Sequence, residues 1–180
     1  MARFKRYRKY TRRSRGRWSA NIQELGTTDI VIPIGSQGSF SRSFTLAFNP
    51  TQLNTSVSQV FTVKNFEVTF ELSGPTGGAS TSAIEDVTAY VMFVPQGMQV
   101  NDGYNLDHPE YIMAYKFLGS PTNDTPNSMA QPTKVITRMA RKLQSGDSVI
   151  LFIKGNNTSN NTGAITIEFH GLARWWTKAN

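Results

Sequence analysis

An all-β body of two packed antiparallel sheets, preceded by a basic tail, is the fold class predicted by this 180-residue sequence. Three observations predict it. From residue 29 onward apolar residues recur with period two, which puts every second side chain against a core, as a half-buried strand requires. Turn formers break that alternation at uneven intervals, and no heptad, long amphipathic helix or internal repeat interrupts it. Nine of the nineteen basic residues fall in the first seventeen positions, so the chain is two physical objects.

The elements follow in order. Ile30, Ile32 and Ile34 alternate with Val31 and Pro33, and Gly35 and Gly38 flank the next turn. Phe40, Phe44, Leu46 and Phe48 share one parity with Arg42, while Ser39, Ser41, Ser43, Thr45 and Ala47 take the other. Asn49 and Pro50 end that strand, and a short helical turn is expected before Ser58. Phe66, Val68, Phe70 and Leu72 form an inward row, with Glu67, Thr69 and Glu71 outward and SGPTGGAS as the closing turn. In the strand around Val87, Ala89, Val91 and Phe93 the opposite parity (Tyr90, Met92, Val94) is apolar too, which predicts cover on both faces.

A connection rich in turn formers runs from Pro95 to Tyr111, followed by the brief apolar segment IMAYKFL and a polar loop over 119–133. Val135, Thr137 and Met139 then alternate with Ile136, Arg138 and Ala140, LQSGDS turns the chain, and VILFIK returns as a fully buried run. Ile165, Ile167 and Phe169 point inward, with Thr166, Glu168 and His170 outward, before the chain closes in GLARWWTKAN. Counted from Ile30, this makes eight strands. A chain of this length, 38% hydrophobic and 11% aromatic, suffices for one domain that buries roughly 70% of its unfolded surface.

The first seventeen residues contain no acid. Arg3, Lys5, Arg6, Arg8, Lys9, Arg12, Arg13, Arg15 and Arg17 give them +9, which against a total of +7 leaves residues 18–180 at −2. Such a segment repels itself and is expected to be disordered, so residues 1–20 are read as an arm and 21–180 as the folded domain. A dense line of negative charge is the partner that gains most from neutralising so many cations, and nucleic acid is the expected candidate, to be bound through counterion release with little regard for sequence. Tyr7, Tyr10 and Trp18 are interleaved with the cations and offer faces for unpaired bases, which favours single strands. Lys5, Arg6, Arg8, Lys9, Arg12 and Arg13 also have the composition of a nuclear import signal.

Catalysis finds little to work with. Cysteine is absent, which removes disulfides, thiolate nucleophiles and Cys-based zinc sites. Of the two histidines, His170 alternates outward with Glu168, and His108 in DHPE is read as part of a polar loop with Asp107 as a helix cap rather than as a metal ligand. No Gly-rich phosphate loop or nucleophile–base spacing occurs, so neither enzyme activity nor a cofactor nor a metal is expected. No apolar run approaches the roughly 20 residues that cross a bilayer, so membrane insertion is not expected either.

A basic, aromatic-dotted start (MARFKRYRKYTRRSRGRW), the strand FTVKNFEVTFELSGP, the hairpin RKLQSGDSVILFI and the closing GLARWWT together give a whole-chain organisation that resembles the capsid proteins of small circular single-stranded DNA viruses, the circovirus-like group. This chain is shorter than those proteins, with a briefer arm and loops. The resemblance implies a single eight-stranded jelly roll with sheets B-I-D-G and C-H-E-F. By order, 30–34 would be B, 39–48 C, 61–72 D, 87–95 E, 112–118 F, 134–141 G, 148–154 H and 164–174 I. It also implies self-assembly of many copies into a T=1 icosahedral shell, arms directed inward onto a single-stranded DNA genome, residence in the virion and the host nucleus, and contacts with host import receptors and an attachment factor.

Lateral contacts in such a shell would fall on the long loops, with Tyr104, Tyr111 and Tyr115 as aromatic anchors. Trp175 and Trp176 are adjacent, so a strand turns one of them outward, and both are interface candidates. Arg138, Arg141, Lys142 and Arg174 are candidates to extend the positive surface beyond the arm. The same organisation is open to two other readings, the coat of a small RNA satellite virus and a cellular single-strand-binding β-domain.

Overall fold

A computed structural model of the chain describes residues 17–27, 29–33, 35, 37–50, 60–76, 84–119, 132–158 and 163–179. Among the described residues nine strands form two antiparallel sheets. The first is ordered β1(Ser19–Thr27)–β9(Ile165–Ala179)–β4(Phe61–Thr76)–β7(Thr133–Leu143), with β2(Ile30–Ile32) also paired to β9. The second is ordered β3(Gly38–Phe48)–β8(Ser148–Asn157)–β5(Ile84–Val94)–β6(Ile112–Gly119). With β1 and β2 as B, these orders are B-I-D-G and C-H-E-F, so the protein is a jelly roll with the strand order expected.

One strand was not legible in advance. β1 lies on the C-terminal half of β9, from Ser19 opposite Thr177 to Thr27 opposite His170, and β2 continues the same register from Ile30 opposite Ile167. The two pieces are thus one B strand that starts at Ser19, well before the alternation does. Its sequence, SANIQELGT, hides it. Ile22 points to solvent at 68% exposure, and a bulge between Glu24 and Gly26 shifts the parity at Leu25.

Alternation places the core as the sequence requires. Phe66, Val68, Phe70 and Leu72 meet Ile165, Ile167 and Phe169 from the first sheet, and Val87, Ala89, Val91, Leu151 and Ile153 close over them from the second. Asn65 adopts φ +53 at a β4 bulge, which lets Val63 and Phe66 both point inward although they are three residues apart. A bulge between Thr45 and Ala47 has the opposite effect on β3: Ala47 is buried and Phe48, expected inside, is 56% exposed. The both-faces-apolar strand β5 is covered twice, its outer side packing Met92 and Val94 with Ile150, Phe152 and Tyr104.

That outer cover is the connection from β5 to β6, which holds a one-turn helix α1(Tyr104–Asp107) and a 3-10 turn over Pro109–Tyr111. Gly103, not Asp107, occupies the helix N-cap, and Asp107 ends α1, so the expected capping role is corrected. At one end of the barrel the loops are tied together. Buried Asp147 accepts the N–H groups of Gln96 at 2.9 Å and Gln144 at 2.8 Å, while the Asn49 side chain donates to the Leu143 carbonyl at 3.0 Å. Gly146 is required in this turn, since its φ is +88 and an added Cβ would lie 2.5 Å from Gln96. The helical turn expected before Ser58 and most of the loop over 119–133 lie outside the described residues.

Candidate nucleic-acid interface

Residues directly opposite in an antiparallel pair share a face, so the register fixes what the first sheet shows to solvent. Three rows cross it at the end where the described chain begins. Lys178 and Lys142 both pair with Thr62; Trp176 and Ala140 both pair with Lys64; Arg174 and Ile136 both pair with Glu67. Between the last two rows Arg138 is exposed on β7. Opposite Trp176 and Arg174 stand Ala20 and Ile22 of β1, with exposed Arg17 and half-buried Trp18 just before that strand.

The result is a contiguous field of Lys64, Arg138, Lys142, Arg174 and Lys178 that joins the root of the basic segment at Arg17. Aromatic rings sit within it. The Lys64 ammonium lies 3.9 Å from the centre of the Trp18 ring, and the Arg174 guanidinium 5.9 Å from that of Trp176. The boundary is marked by Glu67, which accepts a 2.6 Å hydrogen bond from Lys134. That bond and the Lys134 charge, aided by Arg174, hold the Glu67 carboxyl below its ordinary range.

Beyond Glu67 the charge reverses. Glu24, Glu71, Glu168 and His170 line the other end of the same face, Glu71 directly opposite His170 and Glu168 opposite Ser73. A shallow depression there runs between Glu24, Glu71, Pro132, His170 and Leu172. One sheet face therefore has a basic, aromatic end and an acidic end.

The residues singled out from sequence distribute as follows. Arg3, Lys5, Arg6, Tyr7, Arg8, Lys9, Tyr10, Arg12, Arg13 and Arg15 lie outside the described residues. Of the four body cations, Arg138, Lys142 and Arg174 reach the basic face. Arg141 does not: it turns to the opposite side, donating to the Glu110 carbonyl at 2.9 Å with its guanidinium 5.5 Å from the Phe93 ring centre. Lys64 and Lys178 were missed, although the outward parity of Lys64 beside Glu67 is visible once the Asn65 bulge is known.

Two interface candidates are corrected. Tyr104 is not an exposed anchor but a core residue at 1% exposure, its hydroxyl donating to the Phe93 carbonyl at 3.1 Å. Trp175 is the inward member of its pair, 8% exposed and stacked on Phe66. Trp176 takes the outward place. Tyr111 is half-buried, its ring held among Phe93, Tyr104 and His108, whereas Tyr115 is open at 70% exposure with Phe117 two residues on at 59%. His108 pairs with Glu110 at 3.4 Å, and among the described residues no group of three or more His, Cys, Asp or Glu is placed to hold a metal.

No protein-family model and no curated protein sequence matches the chain. Among solved structures it is similar to that of Desmodium yellow mottle tymovirus, at 11% identity over 88% of each chain with a TM-score of 0.31. It is also similar to the decameric BFDV capsid protein, at 12% identity over 89% of this chain and 99% of that one with a TM-score of 0.32. At such scores nothing about partners or assembly passes from those proteins to this one.

Proposed function

We propose that the protein is a structural coat protein: its jelly-roll bodies self-assemble into a small closed shell with T=1 symmetry, and its N-terminal residues hold single-stranded DNA inside. The observation that carries this reading is the junction at Arg17. Arg17, the last of the nine N-terminal cations, stands at the basic end of one sheet face, so the +9 of residues 1–17 joins the chain to the body at its most basic point, on a body that is slightly acidic in total. A nearly neutral body allows close lateral packing, whereas the arms repel one another until a polyanion neutralises them, which couples assembly to packaging.

The virion is the final location in this reading, and assembly takes place in the host nucleus after import through receptors that read Lys5, Arg6, Arg8, Lys9, Arg12 and Arg13. A host attachment factor binds the outer loops. Electron microscopy of the purified full-length chain, followed by nuclease digestion of extracted nucleic acid, tests the proposal. Uniform shells holding DNase-sensitive, single-stranded polymer support it. Persistent monomers overturn the coat reading, and RNase-sensitive contents overturn the DNA assignment.

A further inference from the structure

We infer that the basic end of the β1–β9–β4–β7 face is itself a binding site for single-stranded nucleic acid, distinct from the arm, in which unpaired bases stack on Trp176 and Trp18 while Lys64, Arg138, Lys142, Arg174 and Lys178 hold the phosphates. The inference rests on the reading that the partner is nucleic acid, and it names the class of polymer and the groups that select it.

The geometry argues for single strands. A cationic field alone takes any polyanion, duplex or not, because it sees only phosphate. This field also contains two indoles on the solvent side of the sheet, each beside a cation, with Trp176 flanked by Ala20 on β1 and Lys64 on β4. Trp175 already fills the core position next to it, so the outward indole is not needed to close the interior. In a duplex the base faces are stacked on each other and unavailable, whereas a single strand offers a π-face at every nucleotide.

The extent of the field fits a short tract. From β7 through β4 and β9 to the arm root it spans three inter-strand steps, or about 14 Å, the length over which a few nucleotides lie. Glu67 with Lys134 closes it on one side, and Glu24, Glu71 and Glu168 lie beyond, which confines a polyanion to this end.

The site differs from the arm in how it responds to salt. The arm's nine cations give a log–log salt slope of roughly −6 on a single strand and the five of the face roughly −3.5, while the stacking part is a contact between apolar faces and persists. The test uses the full-length chain with the cations of residues 3–15 replaced by glutamine, probed with oligo(dT), a duplex of equal length and phosphatidylserine vesicles. The arm-neutralised chain retains oligo(dT) binding with a reduced log–log salt slope of roughly −3.5, as five phosphate contacts require, quenches tryptophan emission on binding, and prefers the single strand to the duplex by at least tenfold. Replacing Trp18 and Trp176 by leucine lowers the remaining affinity on the order of tenfold per ring, and W18F/W176F, which keeps a ring at each position, restores much of it.

If the unmodified chain binds oligo(dT) and the arm-neutralised chain does not, the face is no site and the coat reading stands. If the unmodified chain binds no nucleic acid at all, both fall. Equal binding of duplex, stronger binding of vesicles, or a leucine variant that folds with undiminished affinity each overturns the stacking assignment.

Discussion

The rings of Phe44 and Phe169 stack across the two sheets with centroids 4.0 Å apart and planes 18° from parallel, which makes β3 and β9 direct partners through the core. Phe169 also stacks on Phe70 at 5.9 Å and is fully buried, so it ties three strands together. Phe169→Ala is expected to cost about 3–5 kcal/mol, read as a lower urea midpoint with an unchanged slope.

The loop clasp depends on one carboxylate. Asp147→Ala leaves the N–H groups of Gln96 and Gln144 without their acceptor, at an expected cost of about 2–4 kcal/mol. Hydrogen exchange locates the effect: both amides lose protection, while the central amides of β9 keep theirs as long as the chain remains folded.

Burial, with smaller contributions from Tyr111 and Glu110, pushes the Tyr104 phenol up to about 12. The folded value lies above the unfolded one, so the associated stability is fully present below pH 10 and is lost as pH rises toward 12. In an ultraviolet titration of the native protein one tyrosine is expected to ionise late. Tyr104→Phe removes that late step, and a variant that still shows it refutes the assignment.

Tyr115 and Phe117 stand open on β6 and contribute little to the monomer's interior. Substituting both with serine should therefore change unfolding free energy by only about 0.5 kcal/mol. If β6 carries a contact between coat subunits, the same variant sediments as small species under conditions where the unmodified chain forms shells.

Ionic strength separates the arm from other sources of affinity. Neutralising the nine cations of residues 1–17 on a single strand gives a log–log salt slope of roughly −6. Fluorescence anisotropy with oligo(dT) from 50 to 300 mM salt measures it, and a slope near zero contradicts an arm-driven grip.

Most of the eight strands from Ile30 onward were legible because they bury one parity, and a period of two survives wherever the ladder is regular; β5 and β8, buried on both parities, stood out instead as continuous apolar runs. The failures are local and share a cause. At Leu25, Asn65 and the step from Thr45 to Ala47 the ladder gains a residue, and past that point inward and outward exchange, which hid β1 and placed Phe48 on the wrong side. Tyr104 was misplaced for another reason. A tyrosine in a polar loop looks exposed unless it is known that the loop folds back over β5. The cationic field was half visible, because Arg138, Lys142 and Arg174 stand out by charge, but only the register across β7, β4 and β9 shows that they share a face with Lys64 and Lys178 and that Arg141 does not.

Opposite charges at the two ends of one sheet give the body an electric polarity as well as a surface. In the field of a polyanion such a body experiences a torque before it makes any contact, turning its lysine-rich end forward and its carboxylates away. Orientation is then chosen during approach, within a Debye length of about 8 Å at physiological salt. If the chain is a coat subunit, copies arriving at one polymer are thereby aligned with one another before they touch.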